Sequence, residues 1–125
     1  MFNINHLLLL ALGGALGTSA RYVVFILADR HLAKGFPYGT LIVNILGSFL
    51  IGLLWGFFSK THVPPAVRMF VFIGILGSFT TFSAFAFDNM NLLHDRAFIT
   101  LFINILLNNL LAIGLCIFGY YLARM

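Results

Sequence analysis

Gly74-Ile75-Leu76-Gly77-Ser78-Phe79-Thr80-Thr81-Phe82-Ser83 sits inside an apolar run that extends from about Val67 to Leu93. The run is long enough to cross a bilayer, which takes about 20 apolar residues in helical form. Its middle, however, is dense in glycines, hydroxyls and β-branched residues, which are poor choices for an unbroken helix. Non-helical backbone at membrane depth must be buried in protein or wrapped around an ion, as in transporters with broken helices. The stretch therefore predicts a helix break between Gly74 and Ser83, against the alternative of a continuous helix whose glycines only permit close packing.

Outward from this segment the chain is lipid-adapted throughout. Of its 125 residues 62% are hydrophobic and 8% charged, and the mean hydropathy is +1.06; soluble domains carry roughly 25% charged residues. Three further apolar runs, about residues 4–28, 38–58 and 97–122, accompany the third at 67–93. Gly35-Phe36-Pro37 opens the second and Pro64-Pro65 precedes the third, combinations that end one element and start another. The expected fold is an all-α membrane protein of four transmembrane helices with a broken third helix, residues 1–125 forming one transmembrane domain. The first run is expected to be a retained span, because no Lys or Arg precedes it where a secretory signal carries a basic region.

Four spans leave no room for a soluble catalytic or nucleic-acid-binding domain. The net charge of +4 is spread without a basic cluster, so nucleic acid is not an expected partner. The lone Cys116 excludes a disulfide framework within one chain. His6, His31, His62 and His94 fall near span ends or loops, not on a common face with carboxylates, so no enzyme site is visible.

Thr40, Asn44 and Ser48 recur at four-residue spacing in the second span, and Thr100, Asn104 and Asn108 in the fourth; each set shares a helix face. Such uncharged columns either glue helices together or line a path. As a path they suit an anion, together with Arg21, because amides and hydroxyls donate without holding an ion too tightly. Phe79, Phe82 and Phe85 follow at three-residue spacing, and an aromatic ring has a positive edge that can face an anion. The pairs Gly13/Gly17 and Gly52/Gly56 allow backbones to approach, within one subunit or between two.

The segments Gly13-Gly14-Ala15-Leu16-Gly17 with Arg21-Tyr22, then Gly39-Thr40-Leu41-Ile42-Val43-Asn44, then Gly74 to Phe85, resemble in order the Fluc (CrcB) family of fluoride channels. The resemblance implies a fluoride-selective channel in the bacterial inner membrane, working by passive electrodiffusion. It implies an antiparallel dual-topology homodimer with two pores and a structural sodium ion at its centre. Matched by position, Asn44 would hydrogen-bond fluoride, Phe82 and Phe85 would line the pores, and Thr40, Thr81 and Ser83 would follow the route. The backbone carbonyls of Gly77 and Thr80 match the sodium ligands. Arg21 matches a first-span arginine that either draws anions to a vestibule or ties helices together. Ala84 and Ala112 stand where relatives often carry hydroxyls, and Asp88 where they often carry Glu; Asn108, one turn before Ala112, is placed to compensate. The competing readings are a small multidrug-type exporter, which needs a first-span carboxylate that this chain lacks before Asp29, and a non-transporting membrane assembly subunit.

Loop charges are also balanced. Lys60, Arg68 and Arg124 share one side of a four-span protein, and Arg30, Lys34 and Arg96 the other, so the positive-inside rule has no bias to act on. Insertion in both orientations is the expected consequence. A reporter fused to the C-terminus should then give signal from both sides of the membrane; signal from one side alone would exclude dual insertion.

Overall fold

The computed structural model describes residues 3–125. Helices α1 (Ile4–His31), α2 (Tyr38–Phe58) and α6 (Phe98–Leu122) are continuous. The third crossing spans Pro65–His94 but is composite. It starts as α3 (Pro65–Arg68), passes into a π-helical segment (Met69–Leu76), closes with the turn α4 (Gly77–Phe79), and resumes as α5 (Phe82–His94). The four long apolar helices match the expected spans. The first continues three residues beyond Ala28, and the third begins at Pro65, where proline suits the first helical turn.

The break falls at Thr80 and Thr81, both extended (φ −77°, ψ 156° and φ −151°, ψ 114°). Thr81 then caps α5, its hydroxyl accepting from the Ala84 N–H at 3.1 Å, a cap that contributes about 1 kcal/mol. The π-helical segment adds a second irregularity, with the Gly77 N–H donating to the Phe72 carbonyl five residues back. At the other end, α5 closes in a Schellman turn: Ala97 N–H reaches Leu92 O and Arg96 N–H reaches Leu93 O. Arg96 occupies the left-handed position, with φ 57°, which usually falls to glycine.

Two helix pairs dominate the packing, α2 on α6 and α1 on the π-helical segment, and glycines set both. A Cβ at Gly17 would collide with Ile75 O and Ser78 Oγ, and one at Gly13 would lie 2.9 Å from Gly74 Cα. On α2, a Cβ at Gly52 would strike Cys116 O, and one at Gly56 would lie 2.6 Å from Ala123 Cβ. Both glycine pairs thus serve contacts within the subunit. In lipid, where apolar side chains gain nothing by leaving the solvent, this close van der Waals fit holds the helices together.

Basic side chains close the ends of two helices. Lys60 Nζ donates to Ala123 O at 2.9 Å and Arg68 Nη2 to Phe58 O at 2.7 Å, where cations also complement the helix dipole. Arg68 additionally lies over the Trp55 ring. Across the protein, Lys34 and Asp29 form an exposed ion pair, which contributes little to stability.

Gly52→Val should destabilise the protein by about 1–3 kcal/mol, the cost of overpacking a close contact. Gly114→Ala, whose added methyl meets nothing, should leave stability unchanged or raised. Thermal unfolding of the two variants in one detergent checks the contrast.

Candidate functional site

The site grows from the break in the third crossing. Leaving the helix at Thr80 strips backbone groups of their partners, and Asn44 on α2 replaces them for Thr81. Its Oδ1 accepts from the Thr81 N–H at 2.8 Å and its Nδ2 donates to the Thr81 carbonyl at 3.1 Å. This two-point clasp fixes which end of the amide is oxygen, because a backbone N–H can only donate and a carbonyl only accept.

The same exchange frees two carbonyls. The helical donor for Gly77 O would be the Thr81 N–H, now committed to Asn44. The helical donor for Thr80 O would be the Ala84 N–H, now committed to the Thr81 hydroxyl. Both are hard oxygens of the kind an s-block cation takes. Among the described residues no group of three His, Cys, Asp or Glu side chains could hold a metal.

Beside the clasp lies a cavity of about 250 Å³, bounded by Asn44, Ser48, Thr80, Thr81, Phe82, Phe85 and the α6 residues Asn108, Asn109, Ala112 and Ile113. No charged side chain lines it. Phe85 is 8% exposed and Phe82 76%, with ring centroids 5.4 Å apart and planes tilted by 58°. Phe85 forms the inner wall, and Phe82 stands where the cavity opens to the surface of the subunit. Ser48 and Ala112 also line an adjoining apolar hollow with Cys116 and Ile117.

Asn44 continues into a row of amides. Its Nδ2 also donates to Asn108 Oδ1 at 3.0 Å, Asn108 Nδ2 donates to Asn104 Oδ1 at 2.9 Å, and Asn104 Nδ2 donates to Asn89 Oδ1 at 2.8 Å. The polar columns of α2 and α6 therefore bond to one another, and part of the same set faces the cavity. Gluing and lining are here two duties of one row.

Not every expected residue joins this cavity. Thr40 is buried, but its hydroxyl donates to Asp88 Oδ2 at 2.6 Å and it faces a separate cavity of about 340 Å³, which Asp29, Lys34, Tyr38 and Asp88 also line. The Ser83 hydroxyl lies 3.3 Å from that of Thr81 without reaching the cavity lining. Arg21 is half-buried on α1 and borders neither cavity. The structure also adds two participants. Asn104 belonged to a recognised column but had no assigned partner, and Asn89 was overlooked. Its place four residues after Phe85 and seven after Phe82 puts it on their helix face, so the same periodicity that marks the phenylalanines marks it too.

Residues 8–120 match the profile of the family described as CrcB-like protein, Camphor Resistance (CrcB). The "Fluoride-specific ion channel FluC" of Shewanella piezotolerans is 38% identical over 121 residues, covering 97% of this chain and 94% of that one. The proteins of the same description from Shewanella halifaxensis and Shewanella baltica are 36% and 38% identical over the same shares of the two chains. Similarity that runs almost from end to end, through the broken third crossing and the residues that clasp it, means that this four-span chain belongs to the CrcB family.

Proposed function

We propose that the protein is a fluoride channel of the bacterial inner membrane, one transmembrane domain per chain, that releases cytoplasmic fluoride by passive electrodiffusion. The observation that carries this reading is the uncharged cavity in which the Asn44 amide meets the Phe82 and Phe85 rings. Fluoride binds water tightly, so a pore must replace that shell with donors. Amide N–H groups and ring edges supply partial positive charge without a full cation that would trap the ion.

The driving force needs no coupling. Hydrogen fluoride crosses membranes as the neutral acid and dissociates in a less acidic cytoplasm, which leaves the anion inside. A negative-inside potential then drives it out with about 2.3 kcal/mol per charge for each 100 mV. The family description of the relatives as fluoride-specific supports this assignment, and the lack of a carboxylate in the first span before Asp29 disfavours proton-coupled export.

The working unit in this proposal is an antiparallel homodimer with two pores. Balanced loop charge supports it, as does Phe82, which borders the cavity yet stands at the subunit surface. The freed Gly77 and Thr80 carbonyls from two chains would hold a sodium ion between them, which contributes charge to bind the subunits together and takes no part in moving fluoride. Asn44 is assigned to hydrogen-bond fluoride, with Thr81 and Asn108 beside it. Thr40 and Ser83 are assigned to the route beyond the cavity, and Arg21 to drawing anions towards it.

Proteoliposomes loaded with potassium fluoride should release fluoride to an electrode once a potassium ionophore is added, while chloride-loaded vesicles stay closed. Retention of both anions by vesicles that contain folded protein would favour a non-transporting assembly subunit. Asn44→Asp keeps an acceptor for the Thr81 N–H but removes the Nδ2 donors and adds negative charge. Release by this variant should fall to the leak of empty vesicles, and undiminished release would refute the role of Asn44.

A further inference from the structure

Both hydrogens of the Asn44 amide are engaged, one by Thr81 O and one by Asn108 Oδ1. An anion that binds this amide must therefore displace an acceptor. Thr81 O is main chain and stays in place, so the replaceable partner is the Asn108 side chain. Once an ion has taken the Asn44 donor, which end Asn108 turns toward Asn44 is decided on its far side. Its Nδ2 donates to the Asn104 backbone carbonyl at 3.1 Å as well as to Asn104 Oδ1 at 2.9 Å. The Asn104 carbonyl also takes the helical N–H of Asn108, so Asn104 Oδ1 is the acceptor that Asn108 Nδ2 does not share, and with nitrogen held there oxygen faces Asn44. Asn104 is 0% exposed, and its own sense is set by the donation of its Nδ2 to Asn89 Oδ1.

We infer that Asn104, backed by Asn89, is a positioning residue that locks Asn108 as an acceptor and so builds a resident competitor for the Asn44 donor into the fluoride path. The inference rests on the fluoride reading above. With the lock in place, an ion gains a donor from Asn44 and yields it back to Asn108 Oδ1 when it moves on. Without the lock, the Asn108 amide can turn over and offer its own N–H groups, so the ion binds more tightly and leaves more slowly. Conduction needs sites favourable enough to enter and weak enough to leave, and an internal acceptor tunes that balance without a charge.

The experiment measures initial fluoride release against fluoride concentration for wild type, Asn104→Leu, Asn89→Leu and Asn89→Asp. Asn104→Leu should lower the half-saturating concentration about tenfold, as expected for one added hydrogen bond to an anion, and should lower the maximal rate. Asn89→Leu should shift both in the same direction by less. Asn89→Asp still accepts from Asn104 Nδ2 and should not lower the half-saturating concentration, its added charge acting in the opposite sense by repelling the anion. A lower maximal rate with unchanged half-saturation in Asn104→Leu and Asn89→Leu would mean a merely structural role and overturn the lock. A second readout does not depend on flux: Asn89→Leu should move the side-chain amide resonance of Asn108, which Asn89 does not hydrogen-bond, in 1H–15N spectra of the detergent-solubilised protein. An unmoved resonance overturns the lock. If wild type released no fluoride, the fluoride reading would fail on that result alone, while the spectra would still decide the lock.

Discussion

The clasp between Asn44 and the backbone of Thr81 is the interaction on which the rest of the site depends. In hydrocarbon each unpaired peptide group costs several kcal/mol, so a helix cannot simply stop at mid-membrane. One side chain with both a donor and an acceptor solves the problem for one residue, and asparagine is short and rigid enough to serve from a neighbouring helix. The Thr81 hydroxyl solves it for Ala84 in the same way. The other features of the centre are arranged around these two substitutions of side chain for backbone: the freed carbonyls, the cavity with its phenylalanines, and the row of amides that starts at Asn44.

The clasp requires α2 and the third crossing to keep a fixed relation, and that relation is maintained by removing atoms. Gly47, which faces Thr80, and Gly17, which faces Ile75 and Ser78, leave no room for a methyl group. Lipid offers no hydrophobic reward for association, so rigidity around the break comes from backbone-to-backbone fit. The polar row adds direction to this fit, because each amide is oriented by its neighbour and the first by main-chain groups.

The fold was legible because lipid imposes simple demands on composition. Four long apolar runs and one stretch crowded with Gly, Ser and Thr were enough to place four helices and to locate the break between Gly74 and Ser83. The exact hinge, Thr80 and Thr81, was not legible, since Gly74 and Gly77 look at least as disruptive as the threonines yet sit in helical backbone, where Gly74 lets α1 approach. Within the site, Asn44, Phe82, Phe85 and Asn108 were found by spacing and resemblance, and they meet at one cavity. Thr40 was matched to the route by resemblance, and it stands one helical turn, about 5.4 Å, from Asn44, where it meets Asp88 and a different hollow. Periodicity alone places Asn89 on the helix face of Phe82 and Phe85, but its pairing with Asn104, 15 residues away on another helix, was not legible, because local spacing does not name a partner across helices.

The π-helical segment has a consequence for how the gene can vary. Between Pro65 and Thr81 the chain winds with bonds of two lengths, five residues back at Gly77 and four at Thr80. Loss or gain of one codon there would turn everything beyond it by roughly 100°, which would swing Gly74 away from Gly13 or Thr81 away from Asn44. Loops in this protein can absorb an insertion or deletion, whereas this stretch is locked to its length. Related genes should therefore differ here by substitution, and align without gaps from the proline to the hinge.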